Sequence, residues 1–337
     1  MAPFFIIRTM PVTPAAFHRF AAIQNLTVVA DSPLANYTRF GLGGPATLFV
    51  DASTTYAFIE ALRIVREMEL PNVVIGGGSN LVVSDAGFDG VVLRFSGSRI
   101  EKFGTVLDVQ AGANLQSVVD KSVALGLRGM ETLTGIPGNL GAAIYGNAGA
   151  YGHSIQERVE QVTFTDGVTV RTFRNEECQF HYRESIFKDR KDWIILSALL
   201  AFVEDDPAAL TKTARDIREI RDAKYPPSMR CAGSIFKNLL LAELPSDVQA
   251  RVPAGVVREG KVPSAWFLEQ VGAKGLRRGD IQVAGYHANL IYNDGHGTAS
   301  DLVAVIDDLK RRVRREFGFD LEEEVQYVGF EKLPVGV

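Results

Sequence analysis

Short apolar runs separated by glycine-rich breaks dominate the first half of the chain, a pattern typical of short β-strands. The β-rich runs cover residues 46–50, 73–75, 90–95 and 106–109. Apolar positions at helical spacing predict helices over residues 54–68 and 115–125, and a proline or a glycine follows each of them. Short strands interleaved with helices indicate an α+β fold.

Later in the chain, the pattern predicts a hairpin, a buried strand and two long helices. The hairpin pairs residues 159–164 with residues 168–173, and the buried strand covers residues 194–202. Charge and proline then interrupt an apolar run, and we place a domain boundary near Asp205. Amphipathic helices are predicted over residues 208–223 and 300–317, the second capped by Ser300, and a last strand over residues 323–328.

Composition narrows the class of protein. A length of 337 residues predicts two or three domains, and a net charge of -4 argues against nucleic acid as a partner. The most apolar run, residues 193–203, is too short to span a bilayer, so no membrane association is expected. Cys178 and Cys231 lie in no metal-type spacing, and no metal site is predicted. We expect a soluble cytoplasmic protein, a monomer or a weak dimer, with an N-terminal extension over residues 1–21.

Two glycine-rich segments call for an explanation, because every ordered glycine costs chain entropy. Residues 135–152, GIPGNLGAAIYGNAGAYG, contain six glycines and four alanines. Residues 73–85, VVIGGGSNLVVSD, run from a strand into three glycines and then into a second β-like run. No P-loop lysine and no Rossmann helix follow these glycines, so they predict a strand–loop–strand phosphate cradle.

A packing explanation stays open for both segments. Residues 76–78 could form only a tight turn, and residues 135–142 could be small because a helix packs closely there. Alternatively, Asn139 caps a short helix whose N–H groups point at an anion, and Gly141 and Ala142 let that helix approach a ligand. Two loops of this kind together favour a bound dinucleotide.

Three groups of polar residues are candidates for chemistry. Arg183 keeps its charge and suits a carboxylate or an oxyanion, although a salt bridge with Glu184 is the alternative. Ser234 follows a glycine and presents a hydroxyl on a loop, or it is an ordinary turn serine.

The third group is Leu321-Glu-Glu-Glu-Val325, in which alternation puts Glu322 and Glu324 on one face and Glu323 on the other. Such a run is usually a solvated rim. The alternative is that a carboxylate beside Val325 is buried and handles a proton with a raised pKa.

Seven motifs occur together in the order of one known family. They are residues 36–44 (NYTRFGLGG), 76–85 (GGGSNLVVSD), 135–152, 182–188 (YRESIFK), 232–238 (AGSIFKN), 287–293 (HANLIYN) and 321–329 (LEEEVQYVG). Over residues 26–330 the chain resembles the UDP-N-acetylenolpyruvoylglucosamine reductases, the MurB flavoenzymes of peptidoglycan synthesis. The short interval between Arg183 and Ser234 resembles the class without an extra substrate-capping tyrosine loop.

The resemblance implies an α+β fold with a two-lobed FAD-binding domain of the vanillyl-alcohol-oxidase type and a smaller substrate-binding domain. The FAD domain would cover residues 22–204, split near residue 97 and completed by residues 319–333, and the substrate domain residues 205–318. The resemblance also implies that NADPH reduces FAD and leaves. The flavin then gives hydride to the enolpyruvyl double bond, which forms UDP-N-acetylmuramate.

The resemblance further implies roles for individual residues. Arg183 and a protonated Glu324 would stabilise the charge left by hydride addition, and Ser234 would protonate the enolate, with Lys237 lowering its pKa. The implied cofactor contacts are Arg39, Gly76, Gly77, Gly78, Ser79, Asn80, Leu81, Thr134, Gly135, Pro137, Gly138, Gly141, Ala142, Asn147, Gly149 and Ala150. The implied substrate contacts are Tyr151, Arg221, Lys224, Asn238, Lys274 and His287.

Two other functions stay open. A flavin-dependent alcohol oxidase of the same superfamily often attaches its flavin through a histidine, and the GGGSN loop contains none. A nucleotide-sensing module would bind without turnover. His287 stands where other members of the family carry glutamine, which leaves that substrate contact open.

Overall fold

The computed structural model describes residues 12–330, which divide into two compact units. Unit 1 comprises residues 12–32, 46–77 and 88–226, and unit 2 comprises residues 33–45, 78–87 and 227–330. The boundary near Asp205 predicted from the sequence falls inside unit 1. Two short segments from the first quarter of the chain therefore belong to the same unit as its C-terminal third.

Helices and strands alternate through both units, and the α+β prediction is confirmed. The helices are α1 (Pro14–Ala21), α2 (Thr55–Glu67), α3 (Leu115–Ala124), α4 (Leu140–Tyr145), α5 (Ile186–Asp189), α6 (Pro207–Lys224), α7 (Ser246–Arg251), α8 (Ser264–Gln270) and α9 (Ala299–Phe317). The strands are β1 (Leu26–Pro33), β2 (Pro45–Ala52), β3 (Asn72–Ile75), β4 (Leu81–Val83), β5 (Phe88–Phe95), β6 (Ile100–Phe103), β7 (Val106–Gln110), β8 (Leu127–Arg128), β9 (Gly149–Ala150), β10 (His153–Ser154), β11 (Val159–Thr165), β12 (Val170–Arg174), β13 (Ile194–Ala201), β14 (Val203–Glu204), β15 (Arg230–Ser234), β16 (Leu239–Leu240), β17 (Lys261–Val262), β18 (Arg277–Arg278), β19 (Ile281–Val283), β20 (Leu290–Asn293) and β21 (Gln326–Val328).

Among the described residues, unit 1 contains two larger sheets besides the two-stranded pairs β9-β10 and β8-β14. The first has the order β1-β2-β5-β3, with β2 and β3 both parallel to β5, and the second is antiparallel in the order β12-β11-β13-β7-β6. Residues 91–93 of β5 are all buried, as expected of a parallel strand covered on both faces. The predicted hairpin is β11 and β12, and the predicted buried strand is β13.

Part of the expected N-terminal extension is folded into unit 1. Helix α1 starts at a Thr13 cap, and its Ala16 and Phe20 are fully buried in the core. Apolar residues one helical turn apart thus anchor this segment. Residues 1–11 of the predicted extension lie outside the described residues.

Unit 2 is built on an antiparallel sheet with the order β15-β20-β19-β18, and β21 pairs in parallel with β4. Helix α9 has a buried apolar stripe from Leu302 to Phe317. Its N-cap is Thr298, whose hydroxyl accepts a hydrogen bond from the Asp301 N–H, so the prediction of a Ser300 cap is wrong. Ser300 instead donates to Asp85. The last strand is also shorter than predicted, because it begins at residue 326 rather than residue 323.

Within residues 12–330, no helix is both long enough and apolar enough to cross a membrane.

Candidate active site

The two glycine-rich segments meet inside unit 1. A Cβ atom on Gly76 would lie 2.8 Å from Asn139 Oδ1, and one on Gly77 would lie 3.0 Å from the Cα of Gly138. Side chains at either position would push the segments apart. The absence of side chains at residues 76 and 77 is therefore what lets the two predicted phosphate loops lie together.

The amide groups at the start of helix α4 are already used within the fold. Asn139 caps the helix as predicted, by accepting from the Ala142 N–H at 3.0 Å. The N–H groups of Leu140 and Gly141 donate to the carbonyls of Ala113 and Ala111 at 2.9 and 2.8 Å. These amides are not available to an anion, so Gly141 and Ala142 can serve a ligand only through their small size.

Thr134, immediately before the glycines of this loop, supports a polar ligand. Its Oγ1 is buried and has no hydrogen-bond partner among residues 12–330. Leaving a buried hydroxyl unsatisfied costs about 1–3 kcal/mol, and a polar ligand group would remove that cost. Left-handed backbone at Gly135 and Gly138, with φ of 79° and 113°, turns the chain around the same point. The residues of this loop fit a polar cofactor such as FAD.

The GGGSN loop continues into unit 2 at Gly78. This glycine has φ of 64°, and a Cβ atom on it would lie 1.7 Å from the carbonyl oxygen of Tyr37. Its own carbonyl accepts from the Arg39 N–H at 3.1 Å. Ser79 and Asn80 follow as half-buried residues, and Leu81 begins β4. The predicted cofactor residues Arg39 and Gly78 to Leu81 are thus brought together in unit 2.

Three predicted site residues of unit 1 have left-handed backbone, with φ of 40° at Asn147, 55° at Tyr151 and 62° at Arg183. This conformation costs about 1–3 kcal/mol per residue with a side chain, and such strain concentrates at functional sites. Hydrogen bonds hold the segments together: Arg183 donates to the Gly149 carbonyl at 3.1 Å, and Asn147 Nδ2 donates to the His181 carbonyl at 2.7 Å. The structure therefore gathers motifs 135–152 and 182–188 at one place.

Arg183 lies next to an aromatic ring and a lysine side chain. Its guanidinium lies 5.1 Å from the ring centroid of Tyr182, and Lys188 Nζ donates to its backbone carbonyl at 3.0 Å. Glu184 accepts from the same Lys188 at 2.8 Å. Nearby in the chain, Gly149 and Ala150 form β9, and Tyr151 is exposed at its end.

Helix α6 ends with two predicted substrate contacts, Arg221 and Lys224. A Cβ atom on Gly135 would lie 3.1 Å from both Cδ and Nε of Arg221, so the arginine stem lies against the cofactor loop. Both cations lie over the ring of Tyr225, at 5.6 Å for Arg221 and 5.1 Å for Lys224. Pro137 is exposed on the same loop. Cationic groups suited to a diphosphate or a carboxylate thus border the loop.

In unit 2, Ser234 ends strand β15, after an irregularity in the pairing of β15 with β20. The preceding Gly233 has φ of 78°, and nothing lies within 4 Å of where its Cβ would be, so the backbone conformation, not crowding, requires glycine there. Ser234 itself is half-buried. This geometry places the hydroxyl at a kink rather than in a regular strand.

Asn289 holds the backbone next to Ser234, and sequence reasoning missed it. Its buried side chain accepts from the Phe236 N–H and donates to the Phe236 carbonyl, both at 2.9 Å. Its backbone carbonyl also accepts from the Ile235 N–H at 3.1 Å. The available signal was a polar residue between Ala288 and Leu290 in an otherwise apolar run.

Glu324 is fixed close to Ser234 by main-chain hydrogen bonds. Its N–H donates at 2.7 Å to the carbonyl of Ile235, the residue after Ser234. Its carbonyl accepts from Asn80 Nδ2 at 2.6 Å, and the Gln326 N–H donates to the Asn80 carbonyl at 2.9 Å. The serine and the glutamate that the resemblance implies are therefore neighbours on one framework.

The three glutamates alternate as predicted, but the buried one is Glu323. Glu322 is exposed and pairs with Lys237, whose ammonium is thus partly neutralised. Glu324 is half-buried. Glu323 points inward and binds Lys310, with both side chains only 5% exposed. The alternative that the carboxylate beside Val325 is buried is therefore wrong, because the buried carboxylate is Glu323, one position before the residue implied in catalysis.

The remaining predicted substrate contacts lie on loops of unit 2. Asn238 is exposed, and its Oδ1 accepts from the Ser264 N–H at 3.3 Å. Lys274 is exposed and pairs with Glu269 at 2.9 Å. His287 is half-buried, and its Nδ1 accepts from the Asn289 N–H at 3.2 Å.

Comparisons with known proteins identify the family. One family profile, described as "FAD binding domain", matches residues 46–172, and another, "UDP-N-acetylenolpyruvoylglucosamine reductase, C-terminal domain", matches residues 225–328. The UDP-N-acetylenolpyruvoylglucosamine reductase of Solibacter usitatus is 57% identical over 311 residues, 92% of this chain and 100% of that protein. The chain belongs to the UDP-N-acetylenolpyruvoylglucosamine reductase family.

Other members of the reductase family agree. The reductase of Rubrobacter xylanophilus is 35% identical over 89% of this chain and 94% of that protein. The crystal structure of the Thermus caldophilus reductase superposes with a TM-score of 0.69 at 30% identity, covering 90% of this chain and 98% of that one. The family predicted from the seven motifs is confirmed, as is the α+β fold with an FAD-binding domain. The chain is an FAD-dependent oxidoreductase.

Proposed function

We propose that this chain catalyses the NADPH-dependent reduction of UDP-N-acetylglucosamine enolpyruvate to UDP-N-acetylmuramate, a step of peptidoglycan precursor synthesis. The observation that carries this proposal is the hydrogen bond between the Glu324 N–H and the Ile235 carbonyl, which joins the backbone of Glu324 to that of the residue after Ser234 in a chain of this family. We also propose that the chain acts in the cytoplasm as a monomer or a weak dimer.

FAD would be held by the two glycine segments. Within unit 1 the proposed FAD contacts are Gly76, Gly77 and the residues around Thr134. Within unit 2 they are residues 78–81 and Arg39. The chemistry that FAD supplies when bound is hydride acceptance from NADPH and hydride donation to carbon. We retain residues 22–204 with 319–333 as the proposed FAD domain, and residues 205–318 as the proposed substrate domain.

Arg183 and Glu324 would stabilise the charge of the reduced substrate. Hydride addition leaves negative charge next to the substrate carboxylate, and a guanidinium stabilises such an oxyanion. A carboxylate would repel the same charge, so Glu324 helps only as a protonated donor. The strained backbone of Arg183 supports this role, because strain of this kind persists where geometry matters for function.

Ser234 would deliver the proton that completes the reaction. A serine hydroxyl is a weak acid, so its position matters more than its intrinsic pKa. The kink after Gly233 and the clamp by Asn289 set that position. Lys237 is a weaker candidate for lowering the pKa of Ser234 than the sequence suggested, because Glu322 partly neutralises its ammonium.

The reaction is tested by incubating the FAD-loaded chain with NADPH and the enolpyruvyl nucleotide. We expect a nucleotide product two hydrogens heavier, identical to UDP-N-acetylmuramate in mass and retention time. NADPH oxidation without such a product would contradict the proposal.

Ser234→Ala tests the proton donor. We expect flavin reduction by NADPH to stay within about threefold of wild type, and reduction of the enolpyruvyl substrate to fall about a hundredfold or more, because one positioned acid contributes about 10²–10⁴. Stopped-flow absorbance measures the two half-reactions separately. Ser246→Ala, at an exposed serine of α7, is the matched control. An equal loss in both half-reactions would rule out this role for Ser234.

A further inference from the structure

A buried ion pair lies directly beside the proposed catalytic glutamate. Lys310 Nζ binds both carboxylate oxygens of Glu323, at 2.9 and 3.0 Å, and each side chain is 5% exposed. Burying two charges is no better for stability than burying a well-packed apolar pair. A role in specifying local geometry accounts for such a pair better than stability does.

The three consecutive carboxylates of residues 322–324 create a local problem. All three side chains are best solvated in water, and their mutual repulsion favours spreading outward. Only Leu321 and Val325, at the ends of the run, are pulled inward by the hydrophobic effect. Because side chains alternate along an extended run, burial of both ends turns Glu323 inward as well, where its charge needs a partner.

Lys310 supplies that partner from a well-anchored helix, and without it the buried carboxylate would be driven outward. It lies in helix α9, whose apolar stripe is buried and whose first N–H groups are held by Asp85, at 2.7 Å from Ala299 N and 2.9 Å from Ser300 N. With Glu323 held inward, alternation along the extended backbone turns Glu324 to the opposite face. The ion pair thereby sets the direction in which Glu324 projects.

We propose that Lys310 is a positioning residue for the reduction of substrate. By holding Glu323 inward it orients Glu324, which acts on the substrate, while Lys310 touches neither substrate nor cofactor. This proposal rests on the function proposed above for Glu324. If Lys310 has this role, an apolar side chain at residue 323, which turns inward by itself, should make Lys310 unnecessary for the reduction of substrate.

The test uses FAD-loaded variants and compares the two half-reactions per bound flavin. We expect Lys310→Met to leave flavin reduction by NADPH unchanged and to slow reduction of the enolpyruvyl substrate about ten- to a hundredfold, as expected for a misplacement of about 1 Å. Adding Glu323→Leu to Lys310→Met is expected to restore that rate to within about threefold of wild type, because Leu is buried without a partner. Where Lys310→Met does not retain FAD, Lys310→Gln takes its place.

Two reference variants separate the possible failures. Arg314→Met removes an exposed partner of Asp320 on the same helix and should change neither half-reaction. Glu324→Ala removes the proposed donor and should slow the substrate half-reaction alone; if it does not, the proposed role of Glu324 fails and this inference with it. If Glu324→Ala behaves as expected, the inference alone is overturned by any of three results: Lys310→Met slows neither half-reaction, it slows both alike, or Glu323→Leu gives no recovery.

Discussion

At the scale of residues, the site depends on polar side chains that bind backbone rather than ligand. Asn289 is the clearest case, since its amide satisfies both the N–H and the carbonyl of Phe236 in a buried place. Backbone groups buried without such partners are costly, so the side chain both stabilises and positions the segment after Ser234.

Asn289→Leu is expected to lower the free energy of unfolding by about 2–4 kcal/mol, because two buried backbone groups lose their partners at about 1–3 kcal/mol each. Urea unfolding of the FAD-loaded protein measures this. Asn72→Leu, at an exposed asparagine, is the control and should change stability by less than about 1 kcal/mol. Similar losses in both variants would contradict the clamp.

Cys178 is expected to be inert, because burial raises the pKa of its thiol to about 12 and the charges of Glu177 and Glu176 add to this. Alkylation requires the thiolate, so iodoacetamide at pH 8 should leave Cys178 unmodified in the native protein and modify it in urea. Peptide mass spectrometry distinguishes the two states. Rapid modification in the native protein would show that the thiol is accessible after all.

At the scale of elements, glycine sets the shape of the cofactor loop. Gly78 combines a left-handed backbone with a carbonyl oxygen 1.7 Å from where a Cβ would lie, so even alanine requires the backbone to move. Gly104 has a similar φ of 59°, but nothing lies within 4 Å of its Cβ position. A comparison of these two glycines therefore distinguishes the effect of crowding from the effect of backbone conformation.

Gly78→Ala is expected to lower the free energy of unfolding by at least about 2 kcal/mol and to reduce the FAD retained after gel filtration. Gly104→Ala should cost about 1 kcal/mol and leave FAD content unchanged. Flavin absorbance per protein and urea unfolding give both quantities. Equal loss of FAD in the two variants would mean that the contact with Tyr37 is unimportant.

The spacing of apolar residues predicted most helices and strands, because this spacing determines the secondary structure of segments that pack against a continuous core. Predictions from periodicity were wrong where contacts with residues distant in the sequence determine the structure. Ser300 and Thr298 are equally good caps in sequence, and Asp85, which binds Ser300 in the structure, lies far away in the chain. Alternation separates Glu323 from the other two glutamates, but the sequence does not show that Lys310, 13 residues away, pairs with it in the core. No sequence motif indicated the structural role of Asn289.

At the scale of the whole molecule, the seven motifs predicted the family and its cofactor, because they occur together in the order of that family. Their distribution between units could not be predicted, since residues 33–45 and 78–87 join the C-terminal unit through long-range contacts. Residues implied in cofactor binding occur in both units, with Gly77 in one and Gly78 in the other. Catalytic candidates are likewise divided, Arg183 in unit 1 and Ser234 with Glu324 in unit 2.

The central claim is that this chain reduces an enolpyruvyl nucleotide through FAD. The most direct measurement is the visible spectrum of the purified protein under anaerobic conditions, before and after NADPH and then the enolpyruvyl nucleotide. We expect flavin absorbance that NADPH bleaches and that the nucleotide restores. A colourless protein, or a flavin reduced by alcohols and reoxidised only by oxygen, would contradict it.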